Sequence, residues 1–440
     1  MTELTVGTER DGRPSSSTRS SLRAAAIGNA LEWFDWTLYG AFSTYLAANF
    51  FASGDPTSAL LATLAVFAGG FLARPLGGLL FGRIGDRLGR KFTLVVTMSL
   101  LASASLAIAL IPSYSQIGAW ASALLLLARL VQGLAHGGET GVAYTYAAEI
   151  APRDRRALWT SGIMISVTVG VMAATALGAL LTAVLDAEDM SSWGWRLGFG
   201  IGAILGLFAL WMRRHAVETA AFENQSERID PERSAPAPLP RRQLIRTVAL
   251  IVMFFSGTNV VYYAWIVFAP SNAVSNHNMD PSSAFIAGLA AQSLALVFIP
   301  VFGKMSDRFG RRPMVIAFGI GAALIAFPVQ ALVGASAWTL FLSMAIGIFV
   351  WSFTAGTFPA LMAEQFPTRS RALGVGVVSS FCAAVFGGTA PYLNAWSSSI
   401  GASWIFQAYI VILALVTAVA GIVMRETRGA DLTAEVMQAK

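Results

Sequence analysis

Apolar residues come in long unbroken runs along this chain, not on one face of short amphipathic stretches. Spanning a bilayer takes about 20 mostly apolar residues. Runs of that kind lie near 24–49, 58–81, 92–111, 117–149, 157–184 and 196–213, and again near 244–269, 284–303, 314–333, 338–364, 372–395 and 402–424. The pattern predicts an all-α polytopic membrane protein with twelve transmembrane helices in two pseudo-symmetric six-helix bundles. Glycines inside the runs, as at Gly69-Gly70, Gly77-Gly78 and Gly387-Gly388, would weaken a helix in water but let helices pack closely in lipid. Pro75, Pro300, Pro328 and Pro359 fall within or near span ends, where neighbouring helices satisfy the freed backbone groups.

Polar stretches divide the chain. Residues 1–21 read as a disordered cytoplasmic tail without the apolar core of a signal peptide. Residues 22–214 form the first bundle, 215–243 a Pro-rich cytoplasmic linker, 244–424 the second bundle, and 425–440 a short cytoplasmic tail. With residue 1 in the cytoplasm, 27 of the 30 basic residues fall on that side. This is the positive-inside pattern, and it puts both termini in the cytoplasm.

Composition sharpens the picture. Hydrophobic residues make up 55% and charged ones 12%, against roughly 25% charged in a soluble domain. A disordered chain is excluded, and a soluble enzyme is not expected. The net charge of +6 is accounted for by the cytoplasmic loops, so nucleic acid is not an expected partner. A single cysteine, Cys382, excludes an intrachain disulfide and a cysteine-based metal cluster.

The halves repeat each other. Gly82-Arg83-Ile84-Gly85-Asp86-Arg87-Leu88-Gly89-Arg90-Lys91 recurs as Gly303-Lys304-Met305-Ser306-Asp307-Arg308-Phe309-Gly310-Arg311-Arg312. Ala148-Glu149, Pro152 and Arg156-Ala157-Leu158 recur as Ala363-Glu364, Pro367 and Arg371-Ala372-Leu373, and Glu218-Thr219 as Glu426-Thr427. Internal repeats of this kind place a transporter's site near mid-bilayer between the halves. In the loop repeat, Asp86 and Asp307 are suited to accept bonds from helix N-termini or arginines. Arg87, Arg90, Arg308 and Arg311 supply further ties, so these residues with Gly82 read as a cytoplasmic gate.

Both loop copies look like the signature of the major facilitator superfamily. Gly28-Asn29-Ala30-Leu31-Glu32-Trp33-Phe34-Asp35, Ala73-Arg74-Pro75, Arg129-Leu130-Val131-Gln132-Gly133 and Gly137-Gly138-Glu139 resemble its metabolite:proton symporter branch. The resemblance implies proton-driven uptake of carboxylates or zwitterions across a bacterial inner membrane, with the proton as coupling ion, no other cofactor, and a functional monomer. Ala220 stands where the family usually has Pro, and His136 where it more often has an apolar residue.

Ionisable residues inside a bilayer are functional candidates because burying them is costly. Glu32 and Asp35 share a face of span 1 with Tyr39, and Arg129, Gln132, His136 and Glu139 form one polar stripe on span 4. Counting depth from the apolar runs predicts that Glu32 pairs with Arg74. It also predicts a shared site of Asp35, His136 and Glu139, leaving Arg129 deeper with no acid at its level. Asp35 and Glu139, with Glu32 and His136, are then the proton-coupling candidates. Arg129 is the expected carboxylate clamp, helped by Gln132 and Tyr39. The second half adds uncharged candidates for the rest of the substrate: Asn259, Tyr262, Tyr263, Gln292 and Trp351. The alternative for the charged groups is a static buried ion-pair network that fixes helix positions.

Within transport, a proline/betaine-type osmolyte symporter and a drug/proton antiporter remain alternatives. A membrane-embedded enzyme lacks a His/Glu metal cluster and leaves the duplication without a role. A solute sensor would need an added signalling domain.

Overall fold

The computed structural model describes residues 16–52, 54–88, 90–137, 140–215, 240–366 and 371–432. Among them ten helices are long and apolar enough to cross a membrane. Span 1 (Ser16–Ala41, continued by Ser43–Phe50) and span 3 (Arg90–Leu110) complete the twelve. Large apolar side chains point outward: Leu110, Val184 and Leu324 are 70%, 72% and 71% exposed. In water such surface would drive aggregation; it suits acyl chains.

The remaining spans are span 2 (Pro56–Leu88), span 4 (Ala119–His136 and Thr140–Ile150), span 5 (Arg156–Val184) and span 6 (Trp195–His215). In the second half they are span 7 (Arg241–Tyr262, Tyr263–Val267 and Ala269–His277), span 8 (Pro281–Phe309), span 9 (Arg311–Leu332), span 10 (Ala337–Ala355 and Phe358–Gln365), span 11 (Arg371–Cys382, Ala383–Gly387 and Ala390–Ser399) and span 12 (Trp404–Val423). Spans 7 and 11 each contain a π-helical turn, at Tyr263–Val267 and Ala383–Gly387. Such turns re-aim side chains and are common at functional sites.

The halves meet along span 5 with span 8 and along span 2 with span 11. Within the first half, spans 2 and 4 approach backbone to backbone. A Cβ on Gly133 would collide with the carbonyl of Gly70, so only glycine permits the approach.

The end of the molecule that carries the basic loops is tied shut across the halves. Asp307 accepts from the Ala157 and Leu158 amides at the start of span 5, both at 2.9 Å, and from Arg311 Nη1 at 2.8 Å. Glu364 takes Arg156 Nη1 at 2.9 Å and Arg311 Nη2 at 3.0 Å. Arg371 Nη1 reaches Glu149 at 2.6 Å. Asp307 thus joins the halves and Arg311 braces it, whereas Arg308 is exposed: its carbonyl accepts from Arg428 Nη1 at 2.7 Å, its guanidinium lies 5.4 Å from the Phe309 ring, and it makes no ion pair among the described residues. Gly82 lies within span 2, and the side chains of Asp86, Arg87 and Arg90 lie outside the described residues.

The segment after span 12 straps this closure. Glu426 accepts from the Arg311 and Arg312 amides at 2.8 and 3.1 Å, capping span 9. Gly310 turns the chain into that cap with φ +106, a conformation other residues avoid. Further on, Asp431 meets Arg153 at 2.6 Å, and Leu432 is buried against Ala148 and Ala363, one from each half. At the opposite end Ser271 Oγ donates to the Gly40 and Ala41 carbonyls at 3.0 and 3.1 Å, and Phe268 covers Gly40. Both ends are closed.

Candidate functional site

The polar stripe on span 4 faces inward: Arg129, Gln132 and His136 are buried, while Leu126 and Leu127 on the other side are exposed. Its members divide between two clusters.

Asp35 holds the first. Arg129 Nη1 lies 3.8 Å from Asp35 Oδ2, and Gln132 is wedged between them. Arg129 Nη1 donates to Gln132 Oε1 at 2.6 Å, and Gln132 Nε2 donates to Asp35 Oδ2 at 2.7 Å and to Ser105 Oγ at 3.0 Å. Ser105 Oγ also donates to Asp35 Oδ1. The Arg129 guanidinium lies 3.9 Å from the Trp36 ring and 4.3 Å from the Tyr39 ring, and Tyr39 itself donates to the Thr63 carbonyl at 3.0 Å. This neutral, sealed pair corrects the expected arrangement: Arg129 has an acid at its level, and Asp35 is not joined to His136.

The second cluster is Glu32 with His136. Nδ1 of His136 stands 3.0 Å from Glu32 Oε1, too far off the line for a good hydrogen bond. Glu32 therefore meets His136, and the expected Glu32–Arg74 contact pair does not form. Arg74 feels Glu32 only through its field. Its guanidinium lies against aromatic faces, 3.7 Å from Phe71 and 4.0 Å from Trp36, with Nε and Nη2 buried and without an acceptor among the described residues.

Helix length explains the difference. Span 1 is helical from Ser16, several residues before its apolar run begins. Asp35 is 19 residues beyond Ser16 and Arg129 is 21 before Ile150, so they share a level. Glu32 is 16 beyond Ser16 and His136 14 before Ile150, so they share the next. Glu139 lies outside the described residues.

Between the halves is a cavity of about 70 Å³. Trp33, Arg74, His136 and Tyr144 line it from the first half, and Asn259, Tyr262, Trp351, Ser379 and Ser380 from the second. Tyr262 stacks on Trp351 at 5.0 Å, and its hydroxyl and the Trp351 Nε1 have no hydrogen-bond partner among the described residues. Asn259 Nδ2 donates to the Phe255 carbonyl at 3.0 Å, leaving its oxygen available. Of the expected substrate contacts, Asn259, Tyr262 and Trp351 line the cavity. Arg129, Gln132 and Tyr39 are sealed in the Asp35 cluster. Tyr263 packs on Phe71 at 5.4 Å, and Gln292 donates to the Ile266 carbonyl at 3.1 Å. Sequence reasoning missed Arg74 as the cavity cation, and Tyr144, Ser379 and Ser380 altogether. The Ala73-Arg74-Pro75 motif was the signal for Arg74.

The family model of the Major Facilitator Superfamily matches residues 25–391 and again 262–436. The chain belongs to the Major Facilitator Superfamily. The alpha-ketoglutarate permease of Escherichia coli (strain K12) is 35% identical over 421 residues, covering 94% of this chain and 96% of that protein. A proline/betaine transporter of Salmonella typhimurium (strain LT2) is 32% identical over 429 residues, covering 94% and 85%. The partially occluded, inward-open xylose transporter XylE from E. coli superposes with TM-score 0.73 at 19% identity, covering 95% of this chain and all 100% of that one. In this superfamily chain the two helical halves enclose the cavity described above.

Proposed function

We propose that the chain is a proton-coupled symporter of the bacterial inner membrane. It imports a small carboxylate-bearing metabolite by alternating access, working as a monomer with both termini cytoplasmic and the proton as coupling ion. One observation carries the reading: the cavity is lined by a buried guanidinium whose Nε and Nη2 have no acceptor among the described residues. An arginine so placed rests on aromatic faces and still needs acceptors for those N–H groups. A substrate carboxylate supplies the missing acceptors in the bidentate geometry that guanidinium favours. Arg74 is thus the anion clamp, and Asn259, Tyr262, Trp351, Ser379 and Ser380 meet the uncharged part of the substrate. Asp35 carries the proton, with Glu139 as a second carrier. His136, on the cavity wall beside Glu32, passes protons between cavity water and the buried carboxyls. Release to the cytoplasm requires the Asp307, Glu364 and Glu149 contacts to part.

Uptake into proteoliposomes tests this. An inward pH gradient should drive accumulation of alpha-ketoglutarate or proline above equilibrium. Asp35→Asn should abolish uphill accumulation while sparing counterflow exchange. Arg74→Lys should weaken binding by roughly 100-fold, as expected when a charge-assisted bidentate contact is lost. Unchanged affinity in that variant would remove Arg74 from the site. A second reading is favoured by the stacked Tyr262 and Trp351 faces, which suit a quaternary ammonium. A zwitterion would then span from Arg74 to those rings, and thermal stabilisation by glycine betaine but not by alpha-ketoglutarate would select it.

A further inference from the structure

Proton carrier and anion clamp do not touch. Asp35 is tied to Arg129 through Gln132, while Arg74 faces the cavity. One side chain lies against both cations. The Trp36 indole has the Arg129 guanidinium carbon 3.9 Å and the Arg74 guanidinium carbon 4.0 Å from its ring. Trp36 is 1% exposed and its Nε1 has no acceptor among the described residues, so hydrogen bonding does not account for its placement. Phe67 and Phe71 wedge the ring edge-on at 5.7 and 4.4 Å, and it directly follows Asp35 in the chain.

We infer that Trp36 is the positioning residue that couples proton binding at Asp35 to anion binding at Arg74. The inference rests on the roles proposed above for those two residues. With Asp35 ionised, the Asp35–Arg129 cluster is neutral and Trp36 borders one cation, Arg74, that has no carboxylate in contact among the described residues. A proton on Asp35 leaves Arg129 without its counter-charge as well. The ring then lies against two like charges, 4.0 and 3.9 Å from it, in a medium of low dielectric constant. A carboxylate arriving at Arg74 relieves both, so the protonated transporter binds the anion more tightly, and the bound anion favours the proton equally. Among the described residues, the other ionisable groups around this ring and its two cations are His136 with Glu32 and the phenols Tyr39, Tyr144, Tyr262 and Tyr263. His136 and Tyr263 also feel both arginines, but Trp36 is the ring that both guanidinium groups lie against. Without the indole the cations are free to splay apart, and the proton's charge no longer reaches the clamp.

The test measures alpha-ketoglutarate and proline binding to the full-length protein at acid and alkaline pH, in wild type, Trp36→Phe and Trp36→Leu. Wild type should bind about tenfold more tightly at acid pH, the effect of one added charge at this range. Trp36→Leu should bring that ratio close to one, and Trp36→Phe, with a smaller face, should keep about threefold. A Trp36→Leu protein that keeps the full ratio overturns the inference. Should the leucine variant not fold, a full tenfold ratio in Trp36→Phe does the same. A wild type that binds neither probe, or binds with no pH dependence, sinks the transport reading itself and is thereby distinguishable.

Discussion

Arg74 and Arg129 are both buried, both lie against aromatic rings, and both keep Nε and Nη2 without an acceptor among the described residues. What separates them is a carboxylate: Arg129 has Asp35 within 3.8 Å, and Arg74 has none in contact among the described residues. Substituting each with lysine should therefore have unlike effects. Arg129→Lys should leave the affinity for substrate within a few-fold of wild type while abolishing pH-driven accumulation; flux assays and binding titrations on one preparation separate the two. That these residues sit inside was legible from their cost in lipid, and the span 4 stripe from its spacing. Their partners were not, because hydropathy marks where lipid ends and not where the helix ends. Ser16 to Arg23 is too polar to read as a span, yet it continues the helix and shifts every depth counted from it.

At the level of elements, the spans themselves were readable from their apolar runs, and breaks within them less so. The interruption at Gly137 and the π-helical turns in spans 7 and 11 leave no hydropathy trace, since they reorganise hydrogen bonds without changing which residues are apolar. The repeated loop motif was readable as a motif, and its glycine now has a reason. Gly310→Ala places a Cβ at φ +106 and against Glu426. It should cost about 1–2 kcal/mol, seen as a lowered Tm in detergent. Gly133→Val should be worse: it forces spans 2 and 4 apart, and the expected result is loss of monodisperse protein on size-exclusion chromatography.

For the molecule as a whole, the closure at the basic end follows the internal repeat. Glu149 and Arg156 of the first half correspond to Glu364 and Arg371 of the second. The partners are exchanged: Glu149 meets Arg371, and Glu364 meets Arg156. Removing one partner of a buried pair costs about 3–5 kcal/mol, so Arg156→Glu should favour opening at this end. A cysteine at Ser380 in a Cys382→Ser background should then react faster with a membrane-impermeant thiol reagent applied from that side. The repeated residues were visible in the sequence, but not their crossing over, which depends on how the halves are apposed.

That crossing over bears on ancestry. Two copies of one six-helix unit, related by a two-fold axis, would make both contacts with a single glutamate and a single arginine, each copy's acid reaching its twin's base. The present interface has that self-complementary form. Covalent continuity is then a convenience of assembly, and the two halves, produced as separate polypeptides in one cell, should find each other and co-purify.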